Sequence, residues 1–342
     1  MKILKKLAKQ ILPEPLKKTI TKKIALKNVL SFNKFGSRNF VKKFYVIKSI
    51  DIHWGILSTW LCTLPKVNFA LENKLIPVID FTNTEDHPTM LIDKADFNKL
   101  NIWDLYFLQP NVKYDLESIY KSRNVSFFNG NHPISYKHFS PDIINGNIPL
   151  SKDDYHVIKK LYNMMPLNTS IVNYAKDLQK TTFPKNEKIL GISFRRAFER
   201  LHHFNSILTP NGTHIVRMTL DQLIVKTQEL LDELQYKYFF FTTDDRESLT
   251  IMQEKFKDKI LYTERPILHQ FENNEPIPLD RPDLVTDEFG KRDRDVYLRN
   301  KEYLSDVYLL SQCDSILSCG GTADLFAYII KDGNYENIIQ PK

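Results

Sequence analysis

Ile189-Leu190-Gly191-Ile192-Ser193-Phe194 is an apolar run that ends against Arg195-Arg196. Its length suits a strand buried on both faces, the kind found inside parallel sheets. The same pattern recurs downstream. Tyr236-Lys237-Tyr238-Phe239-Phe240-Phe241 runs into Thr242-Thr243-Asp244-Asp245, and Ser315-Ile316-Leu317-Ser318 runs into Cys319-Gly320-Gly321-Thr322. Between them lie helical patterns at 220–234, 248–256 and 303–311, with a short strand at 260–262 and a last helix from Gly320-Gly321-Thr322 through Ile330. In the first of these helices Leu220, Leu223, Ile224, Leu230, Leu231 and Leu234 recur at helical spacing. Strands alternating with helices predict a parallel sheet covered on both faces, with ligands at the strands' C-terminal ends. Polar residues gather at those ends.

Upstream, Phe44-Tyr45-Val46-Ile47 and Leu75–Phe81 read as strands around a helix over 56–73 that Pro65 should kink or divide. The polar loop Asp51–Gly55 carries His53 and Trp54, the acceptor-side candidates. Trp103, Tyr106 and Phe107 are expected to pack an aromatic, turn-rich stretch over 91–150, residues 152–180 to be helical, and 181–188 to be a linker. The expected architecture is α/β, with two Rossmann-like α/β domains facing a cleft. Its parts are a basic leader (1–40), a first α/β domain (41–180) and a second α/β domain (189–342).

Composition narrows the function. The 342 residues are 42% hydrophobic and 26% charged, the balance of a folded globular chain. Three cysteines make no disulfide framework or CxxC pair, and Cys313 and Cys319 read as small buried hydrophobes. No apolar run approaches the length of a membrane span. Met1–Leu12, cut by Lys2, Lys5, Lys6 and Lys9, does not read as a cleavable export signal, so the expected compartment is the cytosol. The first fifty residues hold 13 Lys and one Arg against Glu14 alone, whereas the other 292 hold 34 basic and 40 acidic residues. A nucleic-acid enzyme would carry its positive charge in the working groove, so nucleic acid is not the expected partner. Ile3, Leu4, Leu7, Ile11 and Leu12 beside lysines fit either an interfacial helix on an anionic membrane or a solvated basic tail.

Three strand-end clusters remain for chemistry. Glycines at 320 and 321 admit a ligand to the backbone, and a helix start there favours phosphate. Arginine forks after a neighbouring strand match phosphate oxygens. The chain lacks both the Walker lysine pattern and GxGxxG, which disfavours P-loop kinases and simple dinucleotide enzymes. Asp293-Arg294-Asp295 lies in a charge run and His202-His203 stands apart from other ligands, so no metal site is expected. Asp244 and Asp245 serve equally well as caps for the next helix.

Gly191-Ile192-Ser193-Phe194-Arg195-Arg196 followed by Gly212-Thr213-His214-Ile215 resembles the first motif of the α1,6-/α1,2- and protein-O-fucosyltransferase superfamily, whose fold is GT-B. Phe239–Leu249 resembles its second motif, and Leu304–Asp314 through Ala327-Tyr328 its third. The resemblance covers 189–330 and looser features near 71–80 and 101–107. It implies an inverting, metal-independent glycosyltransferase with no cofactor, using a nucleotide sugar, GDP-fucose first, and a glycan or lipid-linked glycan acceptor. Arg195 would hold the β-phosphate, with Arg196, His214, Asp244, Asp306, Ser318, Gly320, Gly321 and Thr322 on the donor side. Where the motif has Asp, two residues after the second Arg, this chain has Phe198, with Glu199 next. Glu199 is either the base or a solvent-facing residue. Another nucleotide sugar, or a non-catalytic nucleotide- or glycan-binding protein, is the alternative. A bacterial surface polysaccharide is the expected product, made at the inner membrane surface.

Overall fold

A computed structural model describes residues 29–48, 55–82, 100–128, 139–194, 218–264 and 296–340. In chain order it begins with β1 (Leu30–Asn33), β2 (Phe44–Ile47), α1 (Ile56–Glu72), β3 (Ile76–Ile79), α2 (Ile102–Tyr106), α3 (Leu116–Ile119) and β4 (Val125–Phe128). Then come α4 (Pro141–Asn145), α5 (Lys152–Met164), α6 (Thr169–Thr182), β5 (Ile189–Phe194), α7 (Leu220–Leu234), β6 (Tyr238–Thr243), α8 (Arg246–Phe256) and β7 (Ile260–Leu261). The last elements are α9 (Val296–Gln312), β8 (Ser315–Ser318), α10 (Thr322–Ile330) and β9 (Ile338–Ile339). Among the described residues no helix is long and apolar enough to cross a membrane.

The fold is α/β, as expected. The described strands form one sheet ordered β1-β4-β2-β3 and another ordered β7-β6-β5-β8-β9. The second is parallel throughout, and the first is parallel apart from β1, which runs antiparallel to β4. β5 and β6 are buried along nearly their whole length, which is why both read as unbroken apolar runs. Alternate residues serve different layers. Leu190, Ile192, Phe239 and Phe241 pack with Leu223, Leu230 and Met252, while Ile189, Phe240 and Ile316 face a core shared with the first sheet.

That shared core carries Trp60, Trp103, Tyr106, Phe107 and Phe326, all fully buried. Phe326 on α10 meets Trp60 edge-to-face at 4.7 Å and Tyr162 at 5.5 Å between ring centroids. Asn300 Nδ2 on α9 donates to the Tyr106 hydroxyl at 3.2 Å. Cys313 is buried, and burial pushes its thiol well above the ordinary range, whereas Cys319 is only half-buried.

Several elements differ from expectation. α1 is continuous through Pro65. Twelve of its side chains are buried, and that packing on most sides compensates the backbone bond that proline removes. The helix expected over 152–180 is two, with Pro166 in the break, because the residue before a proline is pushed out of the helical region. Part of the 1–40 leader belongs to the first sheet as β1. β4 and β9 were not foreseen, and α9 begins earlier than Tyr303.

Truncating Phe326 to Ala should lower the unfolding free energy by about 3–5 kcal/mol, as for other fully buried rings. Urea denaturation measures it. A loss below about 1 kcal/mol would mean that the aromatic seam does not hold the two layers together.

Candidate functional site

In the second sheet the chain passes from β5 to β6 and β7 on one side, then returns to β8 and β9 on the other. The order therefore reverses between β5 and β8. In open parallel sheets that reversal leaves a crevice at the strands' C-terminal ends, where ligands bind. The register aligns those ends: Ser193 pairs with Ser318, and Phe194 with Thr243. Arg195 and Arg196 are the next residues after β5, and they lie outside the described residues, as do Glu199, His214, His53, Trp54, His202-His203 and Asp293–Asp295.

On the β8 side the geometry is explicit. Ser318 Oγ donates to Asp324 Oδ2 at 2.9 Å, and the Gly320 N–H donates to the same oxygen at 3.0 Å. Asp324, in the first turn of α10 and 1% exposed, thus folds the turn back on itself. Gly320 (φ 82°) and Gly321 (φ 131°) both adopt backbone angles that favour glycine. The Gly320 N–H is therefore engaged within the protein, so it is not available as a phosphate donor in this arrangement. The N–H groups of Thr322 and Ala323 have no acceptor within α10, and no side chain caps that helix. Gly146, the left-handed C-cap of α4, lies behind the turn. A Cβ built on it would come within 2.1 Å of the Gly321 carbonyl oxygen.

On the β6 side Asp306 of α9 is 2% exposed. Its Oδ2 accepts from Thr242 Oγ1 at 2.8 Å and its Oδ1 from Thr263 Oγ1 at 2.6 Å. This carboxylate fastens the end of β6 to the segment after β7. Asp245 caps α8, accepting from the Ser248 N–H at 2.7 Å, while Asp244 is half-buried. A cavity of about 390 Å³ lies at the β7 edge, lined by Leu178, Thr181 and Thr182 of α6 and by Ile260–Glu264. Among the described residues no group of three or more His, Cys, Asp or Glu could hold a metal ion.

Of the expected donor-side residues, Asp244, Asp306, Ser318, Gly320, Gly321 and Thr322 all fall at the C-terminal edge of this one sheet or on the helices flanking it. Asp324 escaped the sequence reading, because an acid in a helix's first turn is commonplace. A second cluster was missed at the corresponding edge of the first sheet. Buried Asp80, just after β3, accepts from the Tyr120 hydroxyl and from the Thr82 N–H at 3.0 Å, with Lys48 Nζ at 3.6 Å. Burial, then the Asp80 carboxylate, pushes the Tyr120 hydroxyl well above the ordinary tyrosine range, which keeps it a donor.

No protein-family model and no curated protein matches the chain. Among solved structures it is similar to NodZ α-1,6-fucosyltransferase soaked with GDP-fucose, with TM-score 0.47, 12% identity, and 87% of this chain and 94% of that one covered. Fucosyltransferase NodZ from Bradyrhizobium gives 0.44 at 11% identity over 87% and 95%. POFUT1 in complex with GDP gives 0.45 at 11% identity over 87% and 98%.

Gly146→Ala should destabilise the protein by more than Gly333→Ala. Both positions have φ near 70°, where a side chain costs about 1–2 kcal/mol, but only Gly146 abuts the Gly321 backbone. The excess should be about 1–3 kcal/mol in chemical denaturation. Equal losses would show that the turn yields freely. Thr263→Val, which leaves the buried Asp306 carboxylate short of a donor, should cost about 1–3 kcal/mol in the same measurement.

Proposed function

We propose that the protein is a glycosyltransferase that uses a nucleotide-diphosphate sugar, GDP-fucose first, and binds the diphosphate in the crevice between β5 and β8. The observation that carries this reading is the junction itself. The strand that ends at Phe194 continues into Arg195-Arg196, and the strand paired with it ends in the glycine turn that opens α10. In the proposed complex the guanidinium forks of Arg195 and Arg196 and the uncapped N–H groups of Thr322 and Ala323 would together donate to a pair of phosphates. Of these, the motif resemblance over 189–330 names Arg195, Arg196 and Thr322.

In the proposed reaction the acceptor hydroxyl attacks the anomeric carbon from the side opposite the leaving diphosphate, inverting its configuration. Arg195 takes up the charge that grows on the diphosphate, with Arg196 and the start of α10 beside it and no metal ion required. Glu199 is the proposed base for the acceptor proton, suited to that role if closure of the cleft raises its pKa. Asp306 acts at one remove, as a positioning residue that holds the β6 and β7 ends. His214 and Asp244 complete the donor side, with His53 and Trp54 proposed on the acceptor side. The domain partition at 181–188 and a lipid-linked glycan acceptor for a bacterial surface polysaccharide belong to the same proposal. The basic first fifty residues favour peripheral work at the inner membrane surface.

Phe198, standing where the family motif has an acid, favours a second reading: a protein that binds the nucleotide without turnover. Thermal shifts with GDP, UDP, CMP and ADP and their sugars should single out GDP and GDP-fucose. Donor hydrolysis without acceptor separates enzyme from idle binder. A flat response to all four nucleotides refutes both readings.

Arg195→Ala should lower kcat by roughly 10²–10³, the usual scale for removing one electrostatic stabiliser. Arg195→Lys should also be severely impaired, because an ammonium keeps the charge and loses the bidentate fork. The loss should fall on kcat rather than KM, since charge on the leaving group grows toward the transition state. Arg246→Ala, at an exposed position opening α8, is the control and should keep full turnover. Near-normal turnover in Arg195→Ala would remove that residue from the site.

A further inference from the structure

Nine large hydrophobic residues are exposed among the described residues, and four of them fall within ten positions: Phe32 (50%), Phe35 (49%), Phe40 (64%) and Val41 (66%). The other five are scattered along the chain, as single exposed apolar residues commonly are. This short stretch is also basic. Lys34, Arg38, Lys42 and Lys43 lie within it, and there is no acidic residue from Leu30 to Lys48. These four are exposed, and none takes part in the ion pairs found among the described residues.

The backbone that carries them is fixed. The Gly36 N–H donates to the Ser122 carbonyl at 3.1 Å and the Arg38 N–H to the Lys121 carbonyl at 3.0 Å. Arg38 accepts in return from the Arg123 N–H at 3.0 Å, and Asn39 Nδ2 donates to Ser122 Oγ at 2.9 Å. The exposed side chains are thus carried by a bonded loop at the end of the first sheet where β4 and β2 begin. That loop joins the end of β1 to the start of β2, and its Phe35 ring meets Tyr120 edge-on at 5.6 Å and Phe127 at 5.9 Å between centroids.

Cations alone would be explained as guards of an exposed sheet edge. Half-exposed or exposed aromatic rings beside cations outside those ion pairs fit a different occupant, the interface of an anionic bilayer, where rings enter the headgroup layer and cations meet lipid charge. Residues 1–28, immediately upstream, carry nine Lys against Glu14 and continue the same charge. We propose that Phe32, Phe35, Phe40 and Val41, interleaved with Lys34, Arg38, Lys42 and Lys43, form a docking surface for an anionic lipid bilayer. The inference rests on the membrane-surface part of the reading above and supplies its contact surface.

The test is co-sedimentation of the full chain with phosphatidylcholine vesicles, with and without phosphatidylglycerol. Wild type should bind only the anionic vesicles. Neutralising Lys42 and Lys43 together to Gln should weaken that binding about thirtyfold, about fivefold for each cation. Phe40→Ser with Val41→Ser should weaken it at least about tenfold, through lost apolar burial. Both pairs should leave the melting temperature and any GDP-induced shift unchanged, because the residues are exposed and precede a strand of the first sheet, whereas the crevice belongs to the second. Three outcomes overturn the proposal. The first is a wild type that fails to bind anionic vesicles. The second is binding that survives both pairs yet vanishes on deleting 1–28. The third is a Phe40/Val41 pair that converts a dimer to a monomer in sedimentation velocity without affecting vesicle binding, which would make the surface a contact between two copies. A wild type that binds vesicles but shows no GDP shift would count against the donor reading alone.

Discussion

The ring of Phe326 is where the two layers of the protein become one. It is reached by Trp60 from α1 and Tyr162 from α5, with Phe107 at 6.2 Å, so a single α10 side chain closes against elements of the first half. Edge-to-face contacts of this kind fix ring orientation as well as separation. Because α10 is only nine residues long, locking Phe326 also locks the glycine turn one helical turn before it. The turn is then bracketed from two further sides, by the Asp324 carboxylate within and by Gly146 behind. Its backbone geometry is set by packing that lies outside the crevice.

The same logic explains which parts of the fold were legible in the sequence. β5, β6 and β8 are buried on both faces, so each reads as an apolar run with polar residues marking its end. β1 is an edge strand in a lysine-rich stretch, with Leu30 buried and Phe32 exposed, and so offers no continuous run. β4 follows a turn-rich stretch, and β9 is two residues long. The start of α9, Val296-Tyr297-Leu298-Arg299-Asn300-Lys301-Glu302, has no clean apolar stripe, because it is held by particular contacts such as Asn300 with Tyr106. Pro65 and Pro166 had opposite outcomes for a tertiary reason. Surrounding core sustains the helix through Pro65, whereas at Pro166 the chain turns to start α6.

The site was legible as a set of strand ends but not as a network. Apolar runs show where a parallel sheet presents its C-terminal edge, and four of the residues named from sequence lie directly on that turn. The carboxylate partnerships are invisible in one dimension. Asp306 meets Thr242 across 64 positions, and Asp80 meets Tyr120 across 40. Only the topology brings such pairs together, whereas Asp324 bonds residues four and six positions away and reads as an ordinary first-turn acid.

Those buried carboxylates constrain the chemistry proposed for the crevice. A carboxylate about 6 Å from a phosphate repels it by about 3 kcal/mol at an effective dielectric constant near 20. Donated hydrogen bonds from Ser318 and Gly320 spread the charge of Asp324, and those from Thr242 and Thr263 do the same for Asp306, yet neither charge is removed. The partial positive charge of a short helix start is about half a unit, too little to outweigh a full carboxylate and a diphosphate together. A crevice built this way needs more than one full cation. Two adjacent arginines after β5 meet that requirement in the proposed complex: one guanidinium offsets the Asp324 carboxylate beside the glycine turn, which leaves the other to favour the leaving diphosphate.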